Sequence, residues 1–158
     1  MNKEIKYDDG KYVGQVVNGK AEGKGIRYWN DGDRYEGDFK NDKMEGKGIY
    51  YYNKEPWKGD RYEGDYKNDI KEGKGIYYWN DGDRYEGDYK NNKREGKGIY
   101  YYNNGNRYEG DYKNGKPEGK AILYYKNGDR EMGDWKDGKK IGKQVILCQN
   151  GEVKTKNY

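Results

Sequence analysis

The 158-residue sequence has no histidine and no serine, and Thr155 is its single threonine. Those absences remove the Ser-His and Cys-His pairings that activate a nucleophile, and the imidazoles that most transition-metal sites use. Its one cysteine, Cys148, cannot close an intrachain disulfide; in an apolar run and with no histidine to activate it, it reads as a buried structural thiol. Long apolar runs are also missing. Met1-Asn2-Lys3-Glu4-Ile5-Lys6 leads into none, so neither a signal sequence nor a membrane span is expected, and a reducing, cytoplasmic location is. Nor does one sign of charge dominate. Basic residues number 33 and acidic ones 29, and the resulting +4 offers no broad field for a polyanion, so nucleic acid is not an expected partner. At 30%, the hydrophobic residues are too few for the thick core of an ordinary domain, where about 45–50% are apolar.

What is present points elsewhere. A charged fraction of 39% alone reads as disorder, but disordered chains lack large rings, and here 21 Tyr and 26 Gly make up nearly a third of the residues. Something must bury or stack those rings without a thick core. Self-similarity supplies it: Glu63-Gly64-Asp65-Tyr66-Lys67-Asn68 returns as Glu86-Gly87-Asp88-Tyr89-Lys90-Asn91 and as Glu109-Gly110-Asp111-Tyr112-Lys113-Asn114. Units open at Tyr12, Tyr35, Tyr62, Tyr85, Tyr108 and Glu131, 23 residues apart except for one step of 27, where Lys54-Glu55-Pro56-Trp57-Lys58 extends an exposed loop. The predicted organisation is a partial repeat or cap over 1–11, five 23-residue repeats over 12–130 with a four-residue insertion in the second, and a divergent capping repeat and tail over 131–158.

Within a unit the period is two. Tyr108-Glu-Gly-Asp-Tyr-Lys113 alternates ring or glycine with charge, as a half-buried strand does; Asn114-Gly-Lys-Pro-Glu118 follows as a five-residue loop, and a second strand runs from Gly119 to about Tyr125. Each unit is predicted to be one antiparallel hairpin. With five loop residues left unpaired, Ile26, Ile49, Ile76, Ile99 and Ile122, with Tyr28, Tyr51, Tyr78, Tyr101 and Tyr124, join the face of the first-strand rings. A two-residue turn would put Trp29, Tyr52, Trp79, Tyr102 and Tyr125 there instead.

Tyr85-Glu86-Gly87-Asp88-Tyr89-Lys90, Gly96-Lys97-Gly98 and Asp81-Gly82 resemble the MORN (membrane occupation and recognition nexus) repeat, and the resemblance runs over about residues 7–153. Ala121 and Gln144 stand where the second glycine of the pair belongs, and Glu131 where a tyrosine should open the unit. The resemblance implies an all-β fold: an elongated, twisted, single-layer antiparallel sheet of tandem hairpins. It also implies a scaffold or adaptor at membrane or cytoskeleton, taking a partner helix or extended segment along a ring-lined groove; such repeats also accompany enzymes, but the missing catalytic chemistry makes this chain an expected non-enzyme.

For that groove the expected residues are Tyr12, Tyr35, Tyr62, Tyr85 and Tyr108, with Phe39, Tyr66, Tyr89, Tyr112 and Trp135, because aromatics concentrate at interface centres. The same rings would also hold neighbouring repeats together. Gly37, Gly46, Gly48, Gly64, Gly73, Gly75, Gly87, Gly96, Gly98 and Gly110 are expected to be structural. The ladder of Asp38, Asp65, Asp88, Asp111 and Asp134 alternates with lysines and reads as a solvated face, not as paired catalytic carboxylates. Asn30-Asp-Gly-Asp33 reads as turn chemistry and lacks the remaining ligands of a calcium loop, so no metal and no cofactor is expected. Lysines 24, 47, 74, 97, 120 and 143 form a row that could meet acidic phospholipid, opposed by Glu22, Glu45, Glu72, Glu95 and Glu118. The aliphatic run Val145-Ile146-Leu147-Cys148 suits a cap or a homodimer contact. A protein partner is the leading expectation. Peripheral association with acidic phospholipid is the alternative, and a glycan- or choline-binding repeat module is the second, although the Gly-Trp and signal peptide of such modules are missing.

Overall fold

A computed structural model describes residues 2–158. Fourteen antiparallel strands follow one another in sequence order in one open sheet, with no helix among the described residues. The chain divides into two compact units, 1–80 and 81–158. The first holds β1 (Lys3–Tyr7), β2 (Gly10–Val17), β3 (Lys20–Trp29), β4 (Arg34–Lys40), β5 (Lys43–Tyr51), β6 (Arg61–Lys67) and β7 (Ile70–Tyr78). The second holds β8 (Arg84–Lys90), β9 (Lys93–Tyr101), β10 (Arg107–Lys113), β11 (Lys116–Tyr124), β12 (Arg130–Lys136), β13 (Lys139–Leu147) and β14 (Val153–Asn157).

The register corrects the expected five-residue loop. Lys113 pairs with Lys116 and Lys40 with Lys43, so the hairpins close in two residues. Asn41 and Asp42 take φ of 50° and 66°, the left-handed pair that a tight hairpin turn needs and that Asn and Asp tolerate best. The remaining residues assigned to the loop open the second strand instead, and a bulge follows the first pairs. Between the pairs Gly37–Gly48 and Phe39–Met44 the chain advances two residues on β4 but four on β5, and Gly46 relieves the kink with a φ of 66°.

The shorter turn reverses the expected faces. Tyr108 lies opposite Leu123, whereas Ile122 lies opposite Glu109 and Tyr124 opposite Arg107. The isoleucine column and its tyrosines therefore belong to the charged face. There each arginine covers a ring: Arg34 over Tyr51 at 4.3 Å, Arg61 over Tyr78 at 4.2 Å and Arg84 over Tyr101 at 4.1 Å. The ring face instead reads Tyr35–Tyr50–Tyr62–Tyr77 across β4 to β7, and Tyr85–Tyr100–Tyr108–Leu123 across β8 to β11. The insertion after β5 lies exposed, with Trp57 at 53%.

Candidate functional site

Two aromatic columns run along the ring face, and they do different things. The first contains the residues expected to line the groove. Tyr12, Tyr35, Tyr62, Tyr85 and Tyr108 have 0% exposure, and Phe39, Tyr66, Tyr89 and Tyr112 are also buried, while Trp135 is half-buried. Tyr12, Tyr35, Tyr62 and Tyr85 each lie over a glycine pair, and Tyr108 over Gly110, whose cross-strand partner is Ala121. A side chain on Gly75 would enter the Tyr62 ring, which is why both strands carry glycine there. The hydroxyl then reaches a backbone carbonyl three residues on: Tyr35 donates to Asp38 O at 3.1 Å, and Tyr85 to Asp88 O at 3.1 Å. Edge-to-face contacts tie one repeat to the next, with Tyr35 between Phe39 and Tyr66 at 5.1 Å from each and Tyr108 between Tyr112 at 5.4 Å and Trp135 at 5.2 Å. The surface these rings were expected to offer is taken up by packing.

The second column was missed as a site because the expected register placed it elsewhere. In the first unit Trp29, Tyr50, Tyr52, Tyr77 and Trp79 touch in series, with centroids 5.2, 4.6, 5.8 and 4.6 Å apart. Tyr77 is buried and the other four are half-buried. The second unit repeats part of it, with Tyr100 4.7 Å from Tyr102, which is 36% exposed. Carboxylates, buried at Asp33 and Asp60 and half-buried at Asp83, hold this ladder in place. Asp33 accepts the Tyr50 hydroxyl at 2.8 Å and the Asn53 N–H at 2.7 Å; Asp60 accepts Tyr77 at 2.7 Å and the Asn80 N–H at 2.9 Å; Asp83 accepts Tyr100 at 2.6 Å and the Asn103 N–H at 2.8 Å. Asp33, read from sequence as a turn residue, thus also clasps the following repeat, and Asp60 and Asp83 do the same. Burial, reinforced by the Asp33 hydrogen bond, pushes the Tyr50 phenol well above its ordinary value; burial does the same for Tyr52. Both stay protonated; Tyr50 donates to Asp33, whereas the Tyr52 hydroxyl accepts from Lys71.

Cations recur on the ring face at one position shared by three repeats. The Lys71 ammonium sits 4.6 Å from the Tyr62 ring, 4.8 Å from Tyr77 and 5.3 Å from Tyr52, and donates to the Tyr52 hydroxyl at 2.7 Å. Burial holds it down to about 8 even though the nearby Asp60 carboxylate raises it. Arg94 takes the same place in the next repeat, 5.1 Å from the Tyr112 ring and 2.6 Å from Gly115 O. Lys140 takes it in the last, 2.6 Å from buried Glu131, which also accepts the Tyr125 hydroxyl. Burial alone would push the Glu131 carboxyl up, but the bonds from Lys140 and Tyr125 outweigh it and hold it below the usual range.

The other expected features are engaged in the frame. Lys24 reaches Asp38 at 2.7 Å, Lys47 reaches Asp65 at 2.6 Å and Lys97 reaches Asp111 at 3.5 Å, so lysines of the row proposed for lipid are paired with the aspartate ladder. The opposing glutamates cap turns: Glu45 accepts the Asn68 N–H at 2.9 Å and Glu118 the Asp137 N–H at 3.0 Å. Of the glycines, Gly37, Gly48, Gly64, Gly75, Gly87, Gly98 and Gly110 lie beneath or beside the opening tyrosines, whereas Gly46, Gly73 and Gly96 supply the left-handed residue of the bulge. Cys148 is half-buried, not buried, because it ends the last hairpin at a turn, where its N–H meets Glu152 O. Val145 and Ile146 are half-buried in β13, which is paired on both sides. No group of side chains among the described residues could hold a metal ion, and no helix there is long and apolar enough to cross a membrane.

Comparison with curated proteins finds no match. Among solved structures, the chain resembles the SAS-4 (dCPAP) TCP domain of Drosophila melanogaster, solved in complex with a proline-rich motif of Ana2 (dSTIL), at 14% identity and a TM-score of 0.60, covering 99% of this chain and 90% of that one. That likeness supports the fold. A second, the Danio rerio CPAP TCP10 domain with a peptide of Danio rerio STIL, matches at 15% identity over 98% of this chain and 83% of that one, but its TM-score of 0.27 carries no weight. The MORN repeat model matches residues 12–34, 35–54, 62–84, 85–107 and 108–130, starting at the tyrosines that open the repeats. With most of its length matched in five copies, the chain belongs to the MORN-repeat family.

Proposed function

We propose that the chain is a non-catalytic cytoplasmic scaffold that takes an extended segment of a partner protein along the half-buried ladder of its ring face. The observation carrying this reading is the unbroken series Trp29, Tyr50, Tyr52, Tyr77 and Trp79, whose rings touch one another and keep an open side while the neighbouring column is sealed. Rigid rings remove much area from water at small entropic cost, and aromatic troughs of this kind suit extended, proline-containing segments. The similar TCP domain, solved with a proline-rich motif, supports the same mode. The lack of serine and histidine supports a non-catalytic role.

The test is affinity capture from the native source with wild type and with the double variant Tyr52→Ala, Trp79→Ala. Recovered partners should fall about tenfold or more for the variant while its melting curve stays close to wild type. Unchanged recovery would sink the reading. Retained binding to acidic vesicles in the same variant, lost at high salt, would point to the lipid alternative instead.

A further inference from the structure

Within a largely repeated frame, one ring-face position takes five residue types in six copies. Ala21, Met44, Lys71, Arg94, Pro117 and Lys140 occupy it, spaced as the repeats are. A place fixed by packing repeats as the opening tyrosines do; one that varies on the ring face is left to decide what that face accepts. Its cross-strand partners are Phe39 for Met44, Tyr66 for Lys71, Tyr89 for Arg94, Tyr112 for Pro117 and Trp135 for Lys140.

In the first unit the Tyr66–Lys71 pair sits beside the ladder. Tyr66 is 4% exposed, and its hydroxyl has no hydrogen-bond partner. A buried hydroxyl left so destabilises the free protein until an acceptor reaches it. Its neighbour across the strands is a cation already donating to Tyr52. Two donors side by side, one of them charged, call for an acceptor with two oxygens and a negative charge.

We propose that the Tyr66–Lys71 pair receives an aspartate or glutamate side chain of the partner segment, one carboxylate oxygen meeting the ammonium and the other the Tyr66 hydroxyl. This rests on the reading that the ladder takes such a segment. A backbone carbonyl could accept from both donors but would bring no negative charge to the ammonium. Reaching the buried hydroxyl requires side-chain movement, which the flexible stem of Lys71 directly across the strands can supply. Burial holds the ammonium down to about 8 with Asp60 nearby, and a second carboxylate would favour its charged form further.

The probes are two displayed libraries of random twelve-residue peptides, one complete and one without Asp and Glu. Binders should come from the complete library and lose about tenfold in affinity when their acid is changed to the amide. The same peptides should lose about tenfold on Lys71→Met, about threefold on Tyr66→Phe, and little on Lys71→Arg. Both removing substitutions place residues that Met44 and Phe39 already supply at the equivalent pair, so the sheet should fold. Binders that need Tyr52 but are indifferent to Lys71→Met, or equally tight binders from the acid-free library, overturn the carboxylate site and leave the ladder standing. No binders at all, or binders indifferent to Tyr52→Ala, remove the ladder reading and this one with it.

Discussion

The repeats opening at Tyr85 and Tyr108 and the one opening at Glu131 solve the same packing problem with different residues. In the first, the Tyr85 ring lies over Gly87 and Gly98 and its hydroxyl bonds Asp88 O at 3.1 Å. In the last, the opening residue is an acid and the second glycine is Gln144, with 0% exposure. The Gln144 amide lies over Gly133 where the ring would have been, and donates to Asp134 O at 3.1 Å, the carbonyl equivalent to that of Asp88. Glu131, relieved of the ring's task, pairs with Lys140 at 2.6 Å. The repeat therefore requires a filled volume over one glycine and one donor aimed at one carbonyl. Tyrosine meets both from the first strand; glutamine meets them from the second.

The widest separation between the two solutions should appear on truncation. Tyr85→Ala removes a fully buried ring that no neighbour can replace and should cost about 3–5 kcal/mol in urea unfolding. Gln144→Ala deletes a smaller amide and one donor and should cost about 1–2 kcal/mol. Equal costs would mean that the frame does not depend on the ring volume. Next in size is Glu131→Gln, which leaves Lys140 poorly paired in a buried place and should cost about 3 kcal/mol at pH 7. Because the Glu131 carboxyl is held low in the folded chain, its stabilisation is fully present above the ordinary carboxylate range and is lost as pH falls through the folded value. Wild type and Glu131→Gln should therefore converge in strongly acid urea melts; a gap that stays constant with pH contradicts the ion pair. The smallest effect is a coupling. Glu131→Tyr alone meets Gln144 in the space its ring needs, and Gln144→Gly alone leaves that space empty, so the pair should be better than the sum by about 1–3 kcal/mol in a double-mutant cycle. Additive behaviour would show that the two sites do not share one space.

Much of the fold was legible because it is periodic. Glu63-Gly64-Asp65-Tyr66 and its copies announced both the repeat length and the alternation of the strand. Register was not, since Asn114-Gly115-Lys116-Pro117-Glu118 reads equally as a five-residue loop or as a two-residue turn followed by a bulged strand. That ambiguity alone exchanges Tyr124 for Tyr125 on the ring face. It also explains the groove assignment: the most strictly repeated rings, such as Tyr62 and Tyr85, repeat because packing permits nothing else, and the half-buried ladder beside them mixes Trp29, Tyr52 and Trp79. The clasps of Asp33 and Asp60 escaped notice for another reason. Each residue satisfies ordinary turn chemistry locally, and its second role depends on amides 20 residues further on.

Those clasps also bear on how such a chain can lengthen. Glu95 caps Asn114 and Glu118 caps Asp137, as Asp33 holds Asn53 and Asp60 holds Asn80; in each case the carboxylate looks forward to the succeeding hairpin and meets the same atom there. Excising or duplicating one whole period in the gene would hand every carboxylate an equivalent amide at the join. Unequal recombination can then alter the number of hairpins without inventing a new contact, and selection is left to act on the few variable residues that each added copy brings.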